Sequence, residues 1–350
     1  MFDFLTSPFS EDIGIDLGTA NVLVYLKGKG ILVREPSVVA IHDKTGAVLA
    51  VGEKAKRMVG KTPQSISAVR PLREGVISDF DVAEKMLRLF IKRVYETPSK
   101  LPRIFRPRVV IGIPSGITEV ERKAVRDAAL QSGARKVFLV EEPMAAAIGA
   151  GLPIRDPEGS LIVDVGGGTT EIAIISLGGV VVGKSLRAGG DKLTSAIREY
   201  VRAKYQLLLG EQTAERLKIE VGGAIPAEEL EVEEPLVTNM RGRHLKTGLP
   251  SQLEFSAQDA WEALKPSLSA ICNAIKDLVE ATPPELLSDV LEDGITLVGG
   301  GSLLRGFDVY LSREVGAPVH TVKDPMSCVV RGCGKLLEDP ELLEMVHVKD

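Results

Sequence analysis

The chain has 350 residues, enough for about two domains of ordinary size, and 44% of them are hydrophobic, ample for packed cores. Lys and Arg number 43 against 48 Asp and Glu, a formal net charge of −5, so there is no basic footprint of the kind that binds nucleic acid. Three cysteines without a CxxC pair, four scattered histidines and no run of eighteen apolar residues leave a disulfide scaffold, zinc or His-triad chemistry and a membrane-spanning helix without support.

In chain order, the first ten residues hold Phe2, Phe4, Leu5 and Phe9 but no Lys or Arg, so they are not a signal peptide with a positive n-region. Phe2, Leu5 and Phe9 have helical spacing, although Pro8 disfavours a long helix. The segment reads either as a packed terminus or as a short anchor dipping into a membrane, with little attraction to anionic lipid. Strands are expected at 13–17, 22–27 and 30–34, and a fourth at 37–41. Residues 42–75 read as a small insertion. Asp81 to Glu84 resembles a capping box ahead of an amphipathic helix marked by Val82, Met86, Leu89, Phe90 and Val94. The loop 97–107 carries Ile104 and Phe105 between arginines. It reads either as a loop tucked onto the surface or as a membrane contact.

A strand at 109–114, a helix capped by Thr118 and Glu121, a strand at 137–140 and a helix opened by Pro143 then alternate. That order gives an α/β domain. A second hairpin at 161–175 begins another domain of the same order. Its insertion carries helices after Gly190 and from Thr213, an acidic stretch at 228–234, and Arg241-Gly242-Arg243 as an expected hairpin tip. A long helix at 257–281 presents Trp261, Leu264, Leu268, Ile271, Ile275 and Leu278 on one face. A strand at 295–298 runs into Gly299-Gly300-Gly301-Ser302. A strand near 318–322 and a helix near 325–338 close the chain.

One motif occurs twice. Ile13 to Asn21 and Leu161 to Glu171 are each an apolar strand, an Asp at its end (Asp16, Asp164), a glycine-rich turn with hydroxyls, and a second apolar strand. Glycine lets the backbone come close to a ligand, and successive N–H groups in such a turn form an anion site. Two carboxylates would repel a bare anion. They make sense if a hard divalent cation sits between them and phosphates, since magnesium needs only one or two carboxylates beside phosphate and water. The duplication points to two domains facing each other across one ligand.

These features, with Gly28-Lys29-Gly30, Glu35 to Ala40, Arg70-Pro71, Glu142 to Ala150, Ala281 to Leu286 and Gly299 to Gly301, resemble the actin, Hsp70 and sugar-kinase superfamily over nearly the whole chain. More narrowly, the chain resembles the MreB family of bacterial actin homologues. It implies an α/β actin-like ATPase fold of two duplicated ribonuclease H-like domains, each with a smaller inserted subdomain. Residues 1–35, 71–151 and 323–350 would form subdomain IA and residues 36–70 subdomain IB. Residues 152–187 and 257–322 would form IIA, and 188–256 IIB.

The resemblance also implies roles. Asp16, Gly18, Thr19, Ala20 and Asn21 would form the first phosphate loop, and Gly166, Gly167, Gly168 and Thr169 the second. Asp16 and Asp164 would hold Mg²⁺ through water. From residue type alone, Glu142 reads equally as a carboxylate stabilising a helix N-terminus; the resemblance implies that it orients the attacking water with Thr169. Glu215, Arg216, Leu217 and Lys218 would lie at the ribose and adenine, although Glu215 and Lys218 alone could be a solvated pair on a helix. Gly299, Gly300, Gly301, Ser302 and Leu303 would lie against the adenosine, Ser302 standing where the family more often has Ala. The implied function is ATP hydrolysis by self-assembling filaments. These would lie in the cytoplasm, peripheral on the inner face of the cell membrane, and work with cell-wall elongation proteins to hold rod shape. No nucleic-acid partner is expected. Phe2, Phe4, Leu5, Phe9, Ile104 and Phe105 are the candidate membrane contacts. A small-molecule kinase of the same fold is the alternative, but no second-substrate signature is present. An Hsp70-type chaperone, which would add a peptide-binding domain, is not expected.

Overall fold

The computed structural model describes residues 11–96, 106–230 and 236–349. Two five-stranded sheets carry the molecule. The first runs Lys136–Glu141, Arg108–Ile113, Ile13–Leu17, Asn21–Leu26 and Gly30–Pro36 across its width, and the second runs Val319–Thr321, Ile295–Val298, Ser160–Val165, Thr170–Ser176 and Gly179–Leu186. In both, the opening three strands form an antiparallel meander, and two later strands add in parallel on the side of the first. Parallel addition needs a crossover, which helices supply. The repeated motif therefore opens two copies of one topology.

The opening strands read as apolar runs because both faces of each sheet are covered. Thr170–Ser176 is buried at every position. Ile13, Val24, Phe90 and Ile111 meet in the core of the first half. Ile174, Leu193, Phe255 and Leu264 meet in that of the second. A third core joins the two: Val110 and Phe138 of the first sheet and Ile162 and Ala173 of the second pack on helices Glu142–Ala150 and Cys328–Glu338. These helices cross at very close range. A Cβ at Gly332 would fall on the carbonyl of Ala145, and one at Gly149 on that of Cys328. Gly149 and Gly332, facing Cys328 and Ala145, are what let the backbones touch.

Each half carries an insertion with its own small sheet. Val39–His42, Val48–Val51 and Ile66–Val69 make one, and Leu207–Leu208, Val237–His244 and Pro250–Ser256 the other. Several expectations are corrected here. The helix Phe80–Glu96 is capped by Asp79, whose Oδ1 accepts from Val82 N at 3.1 Å, and Glu84 binds Arg88 instead of closing a box with Asp81. Arg241, Gly242 and Arg243 lie inside a strand, not at a hairpin tip. Gly242 stands there because the backbone of Leu208, on the neighbouring strand, leaves no room for a Cβ. The turn falls at Lys246-Thr247-Gly248, where Gly248 has φ +74°. Helices Pro284–Asp293 and Pro340–Val346 open on prolines and add to the expected elements; proline fits the first turn of a helix. The capping box of Thr118 with Glu121 is present as expected.

Candidate functional site

Asp16 and Asp164 occupy equivalent places near the ends of the first strands of the two sheets. The turns that follow them meet face to face. A Cβ at Gly167 would stand 2.5 Å from Cβ of Ala20, and one at Gly168 2.7 Å from Oγ1 of Thr19. Only glycines let the second turn lie so close to the first. Thr19 Oγ1 also accepts from Gly75 N at 3.2 Å, tying a third turn to the same place. Between the halves lies a cavity of about 370 Å³. Asp16, Gly18, Thr19, Ala20 and Asn21 line it from one side, and Asp164, Gly166, Gly167, Gly168 and Thr169 from the other. Glu142, Glu215, Lys218, Gly299, Gly300, Gly301 and Leu303 stand on its walls as well.

Three expected residues are held elsewhere. Arg216 binds Glu220, Thr238 and the carbonyl of Asn239, and Leu217 is fully buried in the apolar core of the second half. Glu215 and Lys218, three apart, share one face of the helix Glu211–Val221, whereas the two residues between them lie on others. Ser302 is buried and donates its hydroxyl to Gly299 O at 2.7 Å, bracing the glycine turn from within. The candidate membrane residues Phe2, Phe4, Leu5, Phe9, Ile104 and Phe105 lie outside the described residues.

The chemistry concentrates in four buried carboxylates. Burial raises Asp16 to about 7, with a partial opposing pull from the backbone of Gly18. Burial and the charge of Asp16 raise Asp164 to about 7. Glu142, in the first turn of its helix, is driven well above the usual carboxylate range by burial and by the charges of Glu171, Asp16 and Asp164. Glu171 is raised to about 7 by burial, against hydrogen bonds from Ser185 Oγ at 2.7 Å and Ser115 N at 3.2 Å. Carboxylates packed so tightly repel one another and favour protons. A hard cation would relieve that repulsion. Among the described residues no three or more His, Cys, Asp or Glu are arranged to hold a metal by themselves. Asp16 and Asp164, one from each turn, suit an ion that takes one or two carboxylates beside phosphate and water, as magnesium does.

Sequence reasoning missed part of the wall. Gly75, Gly190, Asp191, Ile219, Gly222, Leu304, Arg305, Pro325, Met326 and Val329 also line the cavity. They come from segments whose nearness is a tertiary fact. Glu171 stood within the repeated motif, and its pairing opposite Asp164 in the hairpin was the available signal.

The family model for MreB/Mbl protein matches residues 10–345. The cell shape-determining protein MreB of Escherichia coli K12 is 51% identical over 335 residues, which cover 94% of each chain. The crystal structure of MreB5 of Spiroplasma citri bound to ADP superimposes with a TM-score of 0.88 at 36% identity, covering 96% of this chain and 98% of that one. A MamK double helical filament shares the fold, with a TM-score of 0.75 at 24% identity over 93% of this chain and 98% of its own. The fold is the actin-like α/β ATPase fold, and the chain belongs to the MreB/Mbl family.

Proposed function

We propose that the chain binds ATP with Mg²⁺ in the cleft, hydrolyses it, and assembles with copies of itself into filaments. These lie on the inner face of the cytoplasmic membrane and organise wall synthesis for a rod-shaped cell. The observation that carries this reading is two duplicated Asp–glycine turns meeting across one cavity walled by buried carboxylates. The ADP held by the Spiroplasma relative supports the nucleotide. The division into IA, IB, IIA and IIB given above belongs to the same reading.

Within it, backbone N–H groups of Thr19, Ala20, Asn21, Gly167 and Gly168 cradle the terminal phosphates. Asp16 and Asp164 would hold Mg²⁺, and the ion when bound would neutralise charge on the phosphate oxygens. Glu142 and Thr169 orient a water toward the γ-phosphorus. Positioning and charge stabilisation carry most of the catalysis in such a transfer. Glu215 and Lys218 face the ribose and base.

The test is pelleting, vesicle flotation and phosphate release by the purified chain with ATP–Mg²⁺, beside Glu142→Ala. Filaments on vesicles, with a variant that assembles but releases phosphate slowly, support the reading. A monomer at every concentration that phosphorylates a small acceptor replaces it with a kinase of the same fold.

A further inference from the structure

The two small insertions touch each other across the mouth of the cleft, and the contacts are ionic. Arg70, at the end of the first insertion, reaches two carboxylates of the second half. Its Nη1 lies 3.2 Å from both oxygens of Asp191, and its Nη2 lies 2.5 Å from Glu211 Oε1. Lys56 Nζ lies 3.1 Å from Glu215 Oε2. Gln212 Nε2 donates to Lys56 O at 2.7 Å. Each link joins the segment before Pro71 to the segment after Gly189, more than a hundred positions on.

Two of the captured carboxylates, Asp191 and Glu215, line the nucleotide cavity, whereas Arg70, Lys56 and Glu211 do not. The guanidinium is mostly buried, its side chain 22% exposed, so it is not a solvated surface charge. Arg offers a planar fork of donors that fits two carboxylates at once, and such pairs are stronger than point contacts.

Resting on the nucleotide reading above, we propose that Arg70 and Lys56 are positioning residues: they hold Asp191 and Glu215 in place and clasp the cleft shut, so that this ionic clasp sets how long a nucleotide stays bound. The clasp opens before nucleotide exchanges and closes after. It acts on release, because Arg70 and Lys56 lie outside the cavity and touch it only through Asp191 and Glu215.

The experiment uses the full chain at sub-micromolar concentration with Mg²⁺ and ADP carrying a fluorescent ribose label, chased with excess unlabelled ADP in a stopped-flow instrument. In Arg70→Ala the dissociation rate should rise about five- to tenfold, the range expected for losing a partly buried, two-carboxylate contact. Arg70→Lys, which keeps the charge and loses the fork, should fall between. Raising salt should speed release from the wild type and speed it clearly less in Arg70→Ala, which keeps only the Lys56–Glu215 pair for salt to screen. Merely structural damage would not produce that difference in salt response. Glu211→Gln tests the same link from the other side, with a severalfold rise expected, and keeps the proposal testable if Arg70→Ala fails to fold. Wild type that binds labelled ADP while Arg70→Ala and Glu211→Gln release it within twofold of the wild-type rate overturns the clasp. Wild type that binds no labelled ADP overturns the function itself, before any variant is made.

Discussion

Glu142 shows how one residue carries two physical roles. It sits in the first turn of the helix Glu142–Ala150, where a carboxylate favours the positive end of the helix dipole, and it faces the cleft as well. The dipole role is worth about 0.3–1 kcal/mol at an exposed site, so Glu142→Ala should leave thermal stability within a few degrees of the wild type. Its buried position beside Asp16, Asp164 and Glu171 makes a purely structural carboxylate costly. If the residue orients water, phosphate release should fall about a hundredfold in Glu142→Ala, with labelled ATP still bound. A variant that hydrolyses at the wild-type rate would return Glu142 to the dipole role alone.

Two elements test packing and capping. The crossing of the helices Glu142–Ala150 and Cys328–Glu338 depends on Gly332, where a Cβ has no space beside the backbone of Ala145. Alanine is a better helix former than glycine by about 1 kcal/mol. A clash with backbone cannot be relieved by turning a side chain, and overpacking costs about 1–3 kcal/mol or more. Gly332→Ala should therefore lower the denaturant midpoint, and an unchanged or raised midpoint would refute the crossing. The helix Ala257–Glu280 begins at a capping box of Ser256 with Asp259. Burial pushes the Asp259 carboxyl up, but hydrogen bonds from Lys204, Ser256 and Tyr205 outweigh it and hold the group down to about 2. A carboxylate lowered by folding stabilises above its unfolded pKa, near 4, and loses that stabilisation as pH falls toward 2. Lys204 is half-exposed, so solvent screening limits the effect to about 1–2 kcal/mol. Melting temperature followed from pH 5 to pH 2 should fall less steeply in Asp259→Asn than in the wild type; parallel curves would remove Asp259 from the acid response.

At the scale of the whole molecule, two copies of one sheet topology share a third core, and the cleft lies between them. Joining the halves through close-packed helices leaves the distant insertions linked across the mouth by polar contacts, where ionic strength can act. The filament reading adds the membrane as a further partner. No helix among the described residues is long and apolar enough to cross a bilayer. Deleting residues 2–9 should weaken flotation with vesicles, since several weak insertions add in avidity. Flotation equal to that of the intact chain would exclude this segment as an anchor.

The repeated motif was legible in the sequence because its parts are local. An apolar run, an Asp at the strand end and a glycine turn lie within about ten residues, and short-range sterics and hydrogen bonding dictate their shape. The same holds for the box of Thr118 with Glu121. Tertiary structure alone decided what stands opposite what. Helical spacing put Glu215 and Lys218 on one face, but nothing in the string says which face meets the cleft, so Arg216 and Leu217 were counted with them. Ser302 stands in the third glycine turn, and only the fold shows its hydroxyl bracing Gly299 from within. Arg70 with Asp191, and Lys56 with Glu215, pair across more than a hundred residues. Such pairs depend on how two whole domains settle against each other, which short-range periodicity does not encode.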